Sequence, residues 1–290
     1  MRSIQRSAWV WFAVGIVSAG LFLPVISSAQ GIPTDTRRTT SDNTLTQTDS
    51  ERAGQQLEDT YLGQTMGDPK EEAAYQAFHK TSEEDMAKKV KLANAFLAKY
   101  PGDRYTEAVY EELSQTYYDM KNLPDFYTFS AKGLSLFPDD VHLLALSGWV
   151  IPRAFTTSDP EADKRLEKAE SQSKHALEVL GTMPKPSMFT DEQFKQFKNG
   201  EMAVAHSGLG LVYFRREKYD ESAKELEAAV QGEATPDPSD FFVLGADYQN
   251  LGRFKEAADA FSRCGKLPGT LQDQCNQYAT AALKEVPAAK

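Results

Sequence analysis

Residues of the same class recur at a fixed spacing in the C-terminal part of the chain, and this recurrence constrains the fold most. A shift of 35 residues aligns Leu209 with Leu244, Gly210 with Gly245, Tyr213 with Tyr248, Tyr219 with Phe254, Leu226 with Phe261, and Ala229 with Cys264. A shift of 34 residues aligns Tyr110 with Leu144 and Ser114 with Gly148. The apolar residues follow helical periodicity, so the sequence predicts pairs of helices that repeat along the chain.

The order of residue classes within each repeat is also specific. Leu-Gly-x-x-Tyr is followed by an aromatic, a small, a large apolar and a second small residue. One unit contains Leu209, Gly210, Tyr213, Tyr219, Ser222, Leu226 and Ala229, and the next contains Leu244, Gly245, Tyr248, Gly252, Phe254, Ala257 and Phe261. An earlier unit carries Leu113, Ser114, Tyr117 and Gly133, and ends at Pro138. This pattern resembles the tetratricopeptide repeat (TPR). The resemblance implies an all-α fold, a right-handed α-solenoid of about five helical hairpins with a C-terminal capping helix.

The repeat pattern also places boundaries along the chain. The TPR-like solenoid is expected over residues 70–286, with units at about 71–104, 107–140, 141–184, 190–236 and 238–268 and a cap at 270–286. The unit at 141–184 carries an insertion from Pro152 to Pro160. Thr190 with Gln193 predicts a capping box that opens the next helix. Insertions in solenoids usually emerge as loops on one face, and the irregular segment 152–202 is of this kind.

The first 29 residues have the features of a secretory signal peptide. Arg2 and Arg6 precede an apolar stretch over residues 8–26, and Ser27-Ser28-Ala29 offers a cleavage site before Gln30. The alternative is an uncleaved membrane anchor, because the stretch is nearly long enough to span a bilayer. Both interpretations predict an exported chain.

The segment that follows, residues 30–69, is polar and has no periodicity, so it is predicted to be a disordered linker. Further along, the segment 96–103 resembles the hairpin ends of TPR proteins from Gram-negative cell envelopes. The expected location is therefore the periplasm of a Gram-negative bacterium, with anchoring in the inner membrane as the alternative.

Charge and motif content exclude several classes of function. The chain has 32 Lys and Arg against 42 Asp and Glu, a formal net charge of −10, and no basic run, which excludes a nucleic-acid partner. His79, His142, His175 and His206 show no i, i+4 pairing and no neighbouring cysteine, so no metal site is expected. No phosphate loop, nucleophile elbow or zinc-protease motif is present, and the sequence predicts no cofactor and no enzyme activity.

The resemblance implies that certain first-helix positions face a concave groove. Carried onto this sequence, they give the candidate partner-binding residues Gln115, Tyr118, Asp119, Trp149, Arg153, Leu211, Phe214, Arg215, Phe242, Gln249 and Asn250. Aromatic and Arg side chains are the usual anchors of binding surfaces. For Trp149 and Phe242 the alternative is burial by the inserted segments. Some TPR proteins hold a partner's C-terminal carboxylate with a Lys and Asn set, and this sequence lacks that set.

The two cysteines, Cys264 and Cys275, admit two interpretations. In a cytosolic protein they would be buried thiols, whereas in an exported one a spacing of eleven residues favours a disulfide that joins the cap to the last repeat. Together these features predict an exported TPR scaffold or adaptor that binds a protein or peptide partner in its groove without catalysis. The alternative is a membrane-anchored, self-associating structural subunit of an envelope complex.

Overall fold

The structure, a computed structural model, describes residues 68–187, 189–232 and 236–287. These residues form eleven α-helices and one 3₁₀ turn, with no strand among them, which confirms the predicted all-α class. The predicted signal peptide and nearly all of the predicted linker lie outside the described residues. None of the described helices is long and apolar enough to cross a membrane. The chain divides into two compact units, with the boundary between Gly133 and Leu134.

The N-terminal unit contains two helical hairpins. Its helices are α1 (Pro69–His79), α2 (Met86–Lys99), α3 (Thr106–Asp119) and α4 (Leu123–Leu136), with a 3₁₀ turn at Glu83–Asp85 and the end of α4 beyond the unit boundary. Asp68 caps α1 by accepting a hydrogen bond from the Lys70 backbone N–H, and Pro69 opens the helix. The core of this unit is aromatic, since Phe78, Phe96 and Phe126 are fully buried.

The C-terminal unit contains three hairpins and a closing helix. Its helices are α5 (Val141–Arg153), α6 (Ala162–Thr182), α7 (Asp191–Arg215), α8 (Tyr219–Gly232), α9 (Pro238–Asn250), α10 (Phe254–Lys266) and α11 (Gln272–Glu285). Each helix packs against the next along the chain or against the hairpin that follows. The predicted capping box is present, because the Thr190 side chain accepts from the Gln193 backbone and the Gln193 side chain accepts from the Thr190 backbone. The helix α7 continues through Asn199 and Gly200 without a break.

Gly210 and Gly245 occupy equivalent places in successive hairpins. A Cβ atom on Gly210 would lie 2.6 Å from the Leu226 side chain, and one on Gly245 would lie 2.7 Å from the Phe261 ring. Leu226 and Phe261 are themselves paired by the 35-residue shift. In both hairpins the glycine therefore makes room for the large apolar residue of the second helix, and the predicted solenoid of stacked hairpins is confirmed in this unit.

The first helices of two neighbouring hairpins also touch. A Cβ atom on Gly208 in α7 would lie 2.8 Å from the backbone carbon and oxygen of Gly148 in α5. Any side chain at position 208 would therefore separate the two helices. This contact brings the ends of α5 and α7 together, and with them the side chains discussed below.

The last helix is attached covalently. The structure joins Cys264 of α10 to Cys275 of α11 in a disulfide with a Cα–Cα distance of 5.8 Å, and both residues are fully buried. The helix α11 lies against α10, and its Tyr278 ring lies 5.3 Å from the Phe261 ring. Thus α11 covers the apolar side of the last hairpin, as a capping helix must.

Candidate partner-binding surface

Three of the predicted groove residues are core residues, and their assignment to the groove is wrong. Leu211 and Phe214 are each 5% exposed and Phe242 is 2% exposed. Leu211 and Phe214 lie in an apolar cluster that includes residues of α9 to α11, so the next hairpin covers them. Phe242 lies edge-on to Phe261 and Tyr278, with ring centroids 5.6 and 5.4 Å away, so α10 and the capping helix cover it.

Three others lie on α3 of the N-terminal unit. The Gln115 side-chain amide donates to Asp119 Oδ1 over 3.0 Å. The Tyr118 ring lies edge-on to Phe126, and Lys121 Nζ lies 5.3 Å from the Tyr118 ring centroid. These contacts order the surface of α3, and the partner-binding role of the three residues stays a prediction.

Gln249 and Asn250 end helix α9. Gln249 is half-buried, and the exposed Asn250 donates from Nδ2 to the Ala246 carbonyl oxygen over 2.9 Å. The partner-binding role of these two residues also stays a prediction.

The remaining three candidates, Trp149, Arg153 and Arg215, are close together at the ends of α5 and α7. Trp149 and Arg153 are one turn apart on α5, which places both on the same side of the helix. The Arg153 guanidinium lies 3.8 Å from the Trp149 ring centroid and donates to the Trp149 carbonyl oxygen over 3.1 Å. This cation–π stack fixes the orientation of both half-buried side chains.

Arg153 also connects the first helices of all three C-terminal hairpins. From α5 it donates to Ser207 Oγ on α7 over 2.9 Å and to Asp240 Oδ1 on α9 over 3.2 Å. Ser207 Oγ donates to the same Asp240 oxygen over 2.7 Å, and Asp237 lies 3.6 Å from Arg153. The positive charge of Arg153 is therefore balanced by carboxylates of its own chain.

Burial dominates the protonation of Asp240. Burial of its carboxyl, and next the charge of the neighbouring Asp237, raise the pKa of Asp240 to about 7, against the lowering by Arg153 and Ser207. A charged carboxylate is costly to bury even beside an arginine. Asp240 thus holds a proton more readily than an exposed aspartate does.

Arg215 has a different environment. Its Nε donates to the Pro152 carbonyl oxygen over 3.2 Å, and its guanidinium carbon lies 5.5 Å from the Phe155 ring centroid. Pro152 and Phe155 belong to the end of α5 and to the insertion after it, so the insertion lies against the end of α7. Burial, and next the charge of Arg153, lower the pKa of Arg215 to about 10, which leaves the side chain charged at neutral pH.

We call Trp149, Arg153, Phe155 and Arg215 the Arg–Trp surface. Sequence reasoning missed two residues that shape it, Phe155 and Asp240. Phe155 lies in the insertion, where no repeat predicts a position. Asp240 had only a weak signal, the acidic start of its hairpin at Asp237 and Asp240, because its ion pair with Arg153 spans the intervening helix α7.

Comparisons with known proteins find likeness among solved structures. No family model matches the sequence, and no curated protein matches it. Among solved structures, the chain is similar to the crystal structure of a thermophilic TPR protein of Thermus thermophilus, with a TM-score of 0.47 and 19% sequence identity. The match covers 69% of this chain and 91% of that chain.

Proposed function

We propose that this protein is an exported scaffold that binds a segment of a partner protein on the Arg–Trp surface and catalyses no reaction. The observation that carries the proposal is the grouping of large, oriented side chains at the ends of successive first helices. Trp149, Arg153 and Arg215 fill no hairpin core, yet each is fixed by a contact to a neighbouring residue or helix. Tryptophan and arginine are the residues that most often dominate binding energy.

Preorganisation is the proposed mechanism. Immobilising a flexible side chain on binding costs about 0.5–1.5 kcal/mol. Here the stack of Arg153 on Trp149 and the hydrogen bond from Arg215 to Pro152 are already made in the free protein. A partner segment would then bind without that ordering cost, and the TPR-like motif suggests that protein recognition is the use of such a surface.

Export to the periplasm is the second part of the proposal, and the N-terminal sequence supports it. Arg2, Arg6, the apolar stretch 8–26 and the small residues 27–29 together have the order of a signal peptide. The disulfide between Cys264 and Cys275 fits an oxidising compartment.

Affinity capture from the native cell envelope tests the proposal. We expect Trp149→Ala and Arg215→Gln each to lower recovery of the specific partner by about tenfold or more, since interface anchors of these types are worth about 2 kcal/mol or more. The matched control is Arg263→Gln, because exposed Arg263 also lies over a ring, Phe241, but on the second helix α10. Equal recovery with all three variants, at unchanged helical content, would place the binding surface elsewhere.

A further inference from the structure

Arg215 is a half-buried charge with no carboxylate of its own. No acidic side chain lies within ion-pair distance of it in the part of the chain that the structure describes. Its described hydrogen bond uses Nε, toward Pro152, and leaves the two terminal nitrogens to contact a ligand. These nitrogens present parallel N–H groups, the arrangement that pairs with a carboxylate.

The contrast with Arg153 shows that the lack of a carboxylate is specific to Arg215. Arg153 ends α5 and Arg215 ends α7, so the two arginines hold the same place in successive hairpins. Asp237 and Asp240, at the start of the hairpin after next, lie within ion-pair distance of Arg153, whereas no carboxylate among the described residues lies within that distance of Arg215. Burying an unpaired charge is unfavourable, and the lowered pKa of Arg215 reports that cost.

We propose that Arg215 pairs with the carboxylate of an Asp or Glu side chain in the partner segment, so that the surface selects acidic sequences. This inference rests on the proposed function and names the chemistry of its partner. The carboxylate accepts two hydrogen bonds from the terminal nitrogens while the segment contacts the neighbouring Trp149 and Phe155 rings. An acidic side chain has a flexible stem that reaches a half-buried guanidinium, whereas a chain-terminal carboxylate requires the segment to end there.

The charges around Arg215 favour a ligand group with a single negative charge over a phosphate. Arg153 already lies beside the carboxyl groups of Asp240 and Asp237, so Arg215 is the cation of the Arg–Trp surface with which a ligand can pair. A phosphate monoester carries nearly two negative charges at neutral pH and would lie close to those carboxylates. A carboxylate matches the single charge of Arg215.

Peptide selection gives the probe for a test. A library of C-terminally amidated random peptides is selected on the purified full chain, and the peptides whose capture depends on Trp149 are resynthesised with a fluorescent label. Each is made with Glu and with Gln at every acidic position, and affinities are measured by fluorescence anisotropy. We expect wild type to prefer one Glu over Gln by about tenfold, the usual scale of a charge-assisted hydrogen bond.

Variants at position 215 decide the outcome. We expect Arg215→Gln to bind the Glu and Gln peptides equally, Arg215→Glu to prefer a Lys at that position, and the control Arg263→Gln to behave as wild type. Equal affinity of wild type for Glu and Gln peptides would overturn the acidic-segment inference and leave the scaffold proposal standing. An Arg215-dependent affinity that is stronger for a phosphoserine peptide than for the Glu peptide would have the same consequence. Failure of every peptide to depend on Trp149 would overturn the proposed surface itself.

Discussion

At the residue scale, side chains at the predicted groove positions of the repeat differ in their burial. Trp149 in α5 stays half-buried at the surface, whereas Leu211, Phe214 and Phe242 at groove positions of later hairpins are core residues. The difference comes from what lies above each helix. The capping helix brings Tyr278 onto Phe242, and helix α9 covers α7. A residue's exposure in a stacked array thus depends on the following hairpin as much as on its own helix.

A buried carboxyl in α9 leads to a prediction about pH. Asp247 is fully buried, its Oδ2 lies 2.7 Å from Ser222 Oγ, and Ser222 Oγ lies 2.8 Å from the Gly210 carbonyl oxygen. Burial, and to a smaller extent the charge of Asp220, raise the pKa of Asp247 well above its usual range. The protonated carboxyl can donate to Ser222, whose own hydroxyl then donates to Gly210.

Because the folded state holds this proton and the unfolded state loses it near pH 4, stability should fall as pH rises from about 4 toward neutrality. The steepest loss expected for one such group is about 1.4 kcal/mol per pH unit. Asp247→Asn keeps a donor to Ser222. It should reduce the slope of the free energy of unfolding against pH, measured by urea unfolding from pH 4 to 8. The control is Asp259→Asn, at an exposed carboxylate on α10. Identical slopes in wild type and Asp247→Asn would contradict the prediction.

Part of the site could be predicted from the sequence at this scale. The resemblance to the tetratricopeptide repeat identified Trp149, Arg153 and Arg215, because it implies which first-helix positions face the groove. It did not identify Asp240, whose ion pair depends on the packing of α9 against α5 and α7. It also missed Asp247, which the 35-residue shift aligns with the buried Val212. An acid at an apolar repeat position is explained only by its hydrogen bond to Ser222 of the preceding hairpin.

At the scale of elements, the hairpins are set by glycines that allow helices to approach. We expect Gly245→Ala to lower the free energy of unfolding by about 1–3 kcal/mol, because the new methyl group would lie 2.7 Å from the Phe261 ring. Gly200→Ala is the matched control, since Gly200 lies inside helix α7 and a Cβ there meets nothing within 4 Å. The free energy of unfolding of that variant should rise by about 0.5–1 kcal/mol, because alanine has a higher helix propensity than glycine.

Urea denaturation of the two alanine variants separates these effects. A common loss of stability would indicate that alanine is unfavourable in both helices for a reason other than contact with Phe261. A gain at both positions would show that the Phe261 ring moves aside without cost, and that Gly245 is not needed for the approach of α9 to α10.

The helices and their caps were the part of the structure that the sequence predicted best. The helical hairpins, the capping box at Thr190 and the capping helix all follow from local signals: periodicity, cap residues and Pro or Gly at the ends. The insertion was located by its departure from the repeat length, but its contact with Arg215 through Phe155 depends on tertiary packing.

At the scale of the whole molecule, the all-α class was predictable because the repeat pattern extends over most of the described chain. The division into two compact units at Gly133 was not predicted, since the repeat register continues across the boundary without a change of composition.

The N-terminal segment gives a prediction at the same scale. If the chain is exported with removal of its signal peptide, the mature protein should begin at Gln30. Mass spectrometry of the protein purified from its native envelope measures this directly, and an extract of the membrane fraction is the comparison. A chain that retains residues 1–29 would favour the membrane-anchored alternative.

The disulfide has a consequence wherever the protein meets proteases. The turn over Pro268, Gly269 and Thr270 is exposed and lies within the loop that Cys264 and Cys275 close. Hydrolysis of a peptide bond there would break the chain and yet leave α11 attached through its sulfur atoms. In the nicked molecule α11 would still cover Phe242 and Phe261, and the two fragments would separate only after reduction of the disulfide.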